Sequence, residues 1–220
     1  MRTEKEIIKR KQIRTIVVLL IFVVLCGVGI ARTINDTGRS AYAGLNFDKY
    51  IVVPDYKEME IDLSESDEDA LQRQIWSRIL SETEVKKYPK KQVKKYYKKN
   101  LEHYETLSVD YGYETFTDYV KNEYGIEMEA FEEQLMAYAE SEVKNDMLVY
   151  AIAEKEGITI GKEEYEKLLE QALKDAGMDR ATFEEQFGMT LEAYAKEKNL
   201  EAGFLQNKVL QVLAEDLQEA

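Results

Sequence analysis

Cysteine, histidine and tryptophan each occur once in this 220-residue chain, and proline twice. A lone cysteine, Cys26, cannot close a disulfide within the chain or build a multi-cysteine zinc site. It also lies in an apolar run, a poor setting for a reactive thiolate. With His103 as the only histidine, a histidine metal cluster or a Ser-His-Asp arrangement would have to be assembled around one residue. His103 stands between Glu102 and Tyr104 in a charged stretch, where a surface position is expected. No GxGxxG, GxxxxGK[ST] or GxSxG occurs. Carboxylates are abundant, but none stands apart from a helical surface. The residues therefore support no catalytic group, no cofactor and no metal.

Apolar residues make up 45% of the chain and charged residues 33%. With so little proline, that balance favours long solvated helices over a loop-rich β fold. Tyrosine is abundant, 15 against 7 phenylalanines; its apolar ring and polar tip suit half-wet surfaces, whether helix packing or binding. The first 14 residues hold Arg2, Lys5, Lys9, Arg10, Lys11 and Arg14 against Glu4 and Glu6. The chain totals −13, so the remainder carries −17. A body that acidic repels phosphate backbones and argues against nucleic acid as a partner.

Thr15 to Ala31 is uncharged over 17 residues. As a helix it spans roughly 25 Å, at the short end for a bilayer core, and Arg14 and Arg32 extend its reach by snorkelling. The basic cluster before it predicts a cytoplasmic N-terminus and an extracytoplasmic remainder. The expected organisation is a cytoplasmic basic tail (1–14), a transmembrane signal anchor (15–32), a tether (33–48) and a helical domain (49–220). A cleaved signal peptide is the competing reading, with Gly29-Ile30-Ala31 or Ala41-Tyr42-Ala43 as the cut site. Lipidation at Cys26 is disfavoured by Leu25 just before it.

Only residues 50–63 read as strand: Tyr50-Ile51-Val52-Val53, then, after Pro54, the alternating Glu58–Leu63. Helical spacing follows. Ser64 or Ser66 caps a helix with Leu71, Ile75, Trp76, Ile79 and Leu80. Pro89 opens another, with Val93, Tyr97, Leu101 and Tyr104 on one face. Its lysines read as a solvated face with partners elsewhere in the acidic body. A short helix with Phe116, Tyr119 and Val120 ends at Gly125. A long helix from about Met128 to Glu156 stops at Gly157. Residues 162–176 form an amphipathic helix, Asp179 caps a short one, and Thr190 caps a single long final helix. The expected fold is mainly α, an N-terminal transmembrane helix followed by a multi-helix domain with at most one short β segment.

Two stretches resemble the C-terminal, substrate-cradling domain of the trigger factor family. One is IWSRILSETEVKKYPKKQVKKYYKKNLEHYETLSVDYG (Ile75 to Gly112); the other is KNDMLVYAIAEKEGITIGKEEYEKLLEQALKDAGM (Lys144 to Met178). Upstream, DYKEMEI (Asp55 to Ile61) is similar to the strand that leads into that family's FKBP-type prolyl isomerase domain. Here only about a dozen residues separate Ile61 from the helix at Ile75, too few for that domain, so isomerase activity does not carry over. The ribosome-docking domain is missing too. The likeness covers roughly residues 50–217 and implies a helical body with two arms around a cradle, similar in architecture to SurA-type and PrsA-type folding factors.

The resemblance implies a chaperone that holds unfolded or exported polypeptides on scattered, adaptable Met and Tyr side chains. Candidate client-binding residues are Tyr97, Tyr104, Tyr111, Tyr113, Phe116, Tyr119, Met136, Tyr138, Phe183 and Phe187, with helix packing the competing account of each. The alternative function is a scaffold or adaptor for one cell-envelope partner.

Overall fold

The computed structural model describes Tyr42, residues 44–59 and residues 68–219. The basic tail, the apolar run and most of the tether lie outside the described residues, as do Ser64 and Ser66. Among the described residues, no helix is long and apolar enough to cross a membrane.

Eight helices and one small sheet make up the described chain: β1 (Ile51–Val52), α1 (Glu68–Glu82), β2 (Glu84–Val85), α2 (Lys90–Tyr111), α3 (Phe116–Tyr124), α4 (Met128–Glu156), α5 (Lys162–Asp175), α6 (Arg180–Phe187), α7 (Leu191–Lys198) and α8 (Leu200–Glu219). Local chemistry fixes many boundaries. Thr115, Asp179 and Thr190 each cap the helix that follows by accepting a backbone N–H three residues on, at 3.0, 2.8 and 3.2 Å. Gly157 ends α4 at φ 68°, a conformation that disfavours any residue with a Cβ.

Three expectations are corrected. The strand-like stretch is shorter than expected, and β1 pairs with a segment beyond α1: Ile51 lies antiparallel to Val85 and Val52 to Glu84. Glu58 and Met59 are not in a strand, and the rest of that alternating stretch is outside the described residues. The tether does not run freely to residue 48. Tyr42 is buried and stacks on Tyr150 at 5.4 Å, while Leu45 and Phe47 pack on the same cluster. Burying the Tyr42 ring outweighs the solvation of a polar linker there, so packing on the domain reaches back at least to Tyr42. The final helix is two: Asn199 takes the left-handed conformation (φ 51°, ψ 50°) between α7 and α8, a role asparagine fills better than most residues with a side chain.

Helix α4 organises the core because its apolar positions recur every three or four residues along its length. Phe131 and Leu135 join Tyr119 and Val120 of α3 at one end. Ala139, Val143 and Met147 meet Ile51, Val93 and Tyr96 in the middle. Leu148, Val149 and Ile152 pack on Ile75 and Ile79 of α1 and on Val209 and Leu213 of α8. A fourth cluster lies apart from α4, formed by Leu169, Leu173, Phe183, Leu191 and Ala195 of α5, α6 and α7. Each of the larger aliphatic side chains in these rows contributes about 1.5–3 kcal/mol by burial.

Along α2 the inward face is turned slightly from the one expected. Val93, Tyr96, Asn100 and Ser108 are buried, with Tyr97, Leu101 and Tyr104 half-buried beside them. Buried polar side chains stitch the layers together. Trp76 Nε1 donates to Asn145 Oδ1 (2.8 Å), and Asn145 Nδ2 donates to Gln206 Oε1 (3.3 Å), joining α1, α4 and α8.

Candidate functional site

The far end of the α2–α3–α4 unit is a knot of aromatic rings. Tyr104, Tyr111, Tyr113, Phe116, Tyr119, Tyr124 and Phe131 are linked ring to ring at centroid distances of 5.2 to 6.0 Å, most of them edge-on or tilted. Such pairs are worth about 0.5–1.5 kcal/mol beyond area burial, so the knot is a rigid platform. Gly112 and Gly125, both at positive φ, turn the chain at either end of α3 and fold it across α2 and α4.

The knot is only partly covered. Tyr111 is 62% exposed and Tyr124 44%, with Val109 beside them on the last turn of α2. Further along α4, Met136 (40%) and Tyr138 (42%) are also open to solvent. Hydroxyls at the tip are engaged without being charged. Tyr113 donates to Glu123, and Tyr119 and Tyr124 share a contact of 3.4 Å. Burial first, then the hydrogen bond with Tyr119, pushes the Tyr124 phenol above its ordinary range. The tip therefore offers neutral phenols with apolar faces.

Of the ten sequence-predicted residues, Tyr111, Met136 and Tyr138 are exposed, whereas Tyr97, Tyr104, Tyr113, Phe116 and Phe187 are half-buried. Tyr119 (3% exposed) and Phe183 (5%) belong to the core and leave the set of surface candidates. Their rings supply the floor on which neighbours pack: Tyr119 touches Tyr111, Tyr113, Phe116 and Tyr124, and Phe183 stacks on Phe187 at 4.4 Å. The tip unites Tyr104, Tyr111, Tyr113, Phe116 and Tyr119. Phe183 and Phe187 belong to the other cluster, with Tyr194. Tyr124, which ends α3, was not among the expected residues although it stands four residues after Val120, on the same helical spacing.

A hollow of about 380 Å³ lies where α4 ends and α8 begins, lined by Tyr42, Phe47, Tyr150, Ile158, Ile160 and Leu205, with Glu154 and Glu201 among its polar residues. No sequence signal marked it, since it joins segments far apart in the chain. Beside it, Asp146 is buried in α4, and the Tyr96 hydroxyl donates to its Oδ2 at 2.5 Å. Burial, opposed by that hydrogen bond and reinforced by the charge of Glu142, holds the Asp146 carboxyl well above the usual carboxylate range. His103 is exposed. Among the described residues, no group of three or more His, Cys, Asp or Glu side chains is arranged to hold a metal ion.

Residues 56–215 match the family described as the C-terminus of bacterial trigger factor protein (TF). That domain is the chaperone-like part of the family and not an isomerase domain. Comparison with curated proteins and with solved structures gave no match.

Proposed function

The chain belongs to the trigger factor C-terminal family, and from that premise we propose that it is a membrane-anchored, extracytoplasmic holdase that receives exported, unfolded polypeptide. The family membership suggests a chaperone-type protein that binds polypeptide. The observation that carries the finer reading is the open aromatic surface of Tyr111 and Tyr124, resting on a rigid floor at the end of an otherwise charged arm. Rings held in place lose little entropy when a client covers them, and phenols tolerate the wet state between clients. Met136 and Tyr138 extend the surface along α4, and Met adapts to unlike side chains. The anchor is proposed from residues 15–32, and the side of the membrane from the basic residues before them.

The full chain in detergent micelles should suppress aggregation of a reduced, unfolded client, and the double variant Y111S/Y124S should lose most of that effect while keeping its helix content. No suppression by the parent chain at several-fold molar excess rejects the holdase. Crosslinking in cells should trap many unrelated polypeptides; one stable partner would instead favour a dedicated adaptor. Protease added outside intact spheroplasts should digest residues 33–220, and their protection would refute the assigned side.

A further inference from the structure

Residues 86–99 carry eight lysines and no acidic residue, in a chain of net charge −13. The run covers the turn after β2 and the first ten residues of α2. Lys86, Lys87, Lys90, Lys91, Lys94 and Lys98 are exposed. The helical ones lie on the side of α2 turned away from the buried Val93, Tyr96 and Asn100. The expectation that these lysines find partners in the acidic body holds only in part. Lys98 pairs with Glu102 (3.3 Å), Lys86 Nζ donates to the Asp48 carbonyl (2.9 Å), and Lys87 lies over the Tyr50 ring (4.8 Å). Among the described residues, Lys90, Lys91 and Lys94 make no ion pair.

The contacts of Lys86 and Lys87 also fix where this face sits. Asp48 and Tyr50 belong to the segment by which the chain enters the domain, and only nine residues separate Arg32 from the packed Tyr42. Fully extended, that link reaches roughly 35 Å. At the other end of α2 the balance reverses: residues 101–135 hold ten acidic side chains against Lys121. The arm is thus a charge dipole, basic beside the chain entry and acidic at its aromatic tip.

We propose that the exposed lysine face of the 86–99 segment docks on the anionic phospholipid headgroups of the membrane that holds the chain, and that this contact orients the aromatic tip away from the bilayer. The inference rests on the anchor proposed above. An anchored domain on so short a link stays near the surface, where each lysine strengthens headgroup association about fivefold. The acidic tip is repelled by the same surface, and the two effects turn the arm in one direction. Attraction and repulsion both fade beyond about 8 Å at physiological ionic strength, so the contact is short-ranged and salt-sensitive.

The test is amine labelling of the full chain reconstituted in vesicles of phosphatidylcholine alone or with phosphatidylglycerol, read by mass spectrometry. Lys90, Lys91 and Lys94 should label several-fold more slowly in the anionic vesicles, and about 1 M salt should remove that protection. The exposed Lys162, Lys174 and Lys196 should label equally in both. The triple variant K90E/K91E/K94E, checked for intact Trp76 fluorescence, should also lose the protection at Lys98. Flotation in about 1 M salt reports the anchor separately. A chain that floats with both vesicle types yet labels identically in each overturns the lysine face and leaves the anchor standing. A chain that floats only with anionic vesicles, and is released by salt and by the triple variant, supports the lysine face and overturns the anchor.

Discussion

Replacing Asp146 with asparagine should flatten the pH dependence of stability. Asp146 is enclosed between α4, α2 and the entry segment, with Tyr96, Tyr42 and Glu142 around its carboxyl. Its folded pKa is raised, chiefly by burial, so the fold retains a proton that the unfolded chain releases near pH 3.9. The stabilisation is complete below that pH and is lost as pH rises toward the folded value. The slope is about 1.4 kcal/mol for each pH unit in which only the folded form keeps the proton. The D146N side chain still accepts from Tyr96 but brings N–H donors into a buried site, at a cost of about 1–3 kcal/mol in acid. The variant should therefore be the weaker protein at low pH and draw level with or overtake the parent as pH rises. Urea unfolding of the detergent-solubilised chain between pH 5 and pH 8, followed by the single, buried Trp76, measures this. Glu156, Glu164 and Glu192 are held low by Lys57, Lys208 and Arg180 respectively. Their opposite contribution disappears only in acid and is common to both proteins. Parallel pH profiles for parent and variant would refute the assignment of a buried, proton-retaining carboxyl.

Other substitutions separate the roles of single residues. Tyr56→Phe removes the hydroxyl that donates to Glu156 at 2.5 Å and should cost about 1 kcal/mol in urea midpoints, because Lys57 still satisfies that carboxylate at 2.8 Å. Asn199→Gly should be nearly neutral, whereas Asn199→Val should cost about 1–2 kcal/mol by forcing a β-branched residue into the left-handed joint. Tyr119→Ala should cost about 3–5 kcal/mol and expose the segment around Gly112 and Gly125 to limited proteolysis. Unchanged cleavage there would show that the rings do not hold the tip together.

Local pattern carried most of the helices. The span Met128–Glu156 was legible because its apolar rows run unbroken to Gly157, and the capping residues Asp179 and Thr190 sit where the structure uses them. The break at Asn199 was not, since apolar spacing continues across it and no proline marks it. The β1–β2 pairing joins residues about 30 positions apart, and alternation alone marked Glu58–Leu63 as strand rather than the short Glu84–Val85. Amphipathic spacing also cannot separate a ring on the floor of a cluster from one at its rim, which is why Tyr119 and Phe183 looked like surface candidates beside Tyr111. Asp146 was not legible, because the carboxylates all read as helical surface, although it stands three residues after Val143 and before Val149, in a buried register. Seeing that required knowing that α4 is covered on more than one side.

Helix α4 runs without interruption from the aromatic tip to the joint with α5, about 43 Å at 1.5 Å per residue. A rod packed into three cores can curve only gently without a break in its ladder, so the distance between tip and body is set like the span of a calliper jaw. The cluster of α5, α6 and α7 joins it instead through non-helical links, Gly157–Gly161 on one side and Asn199 on the other, so any change in that cluster's position falls to two short joints.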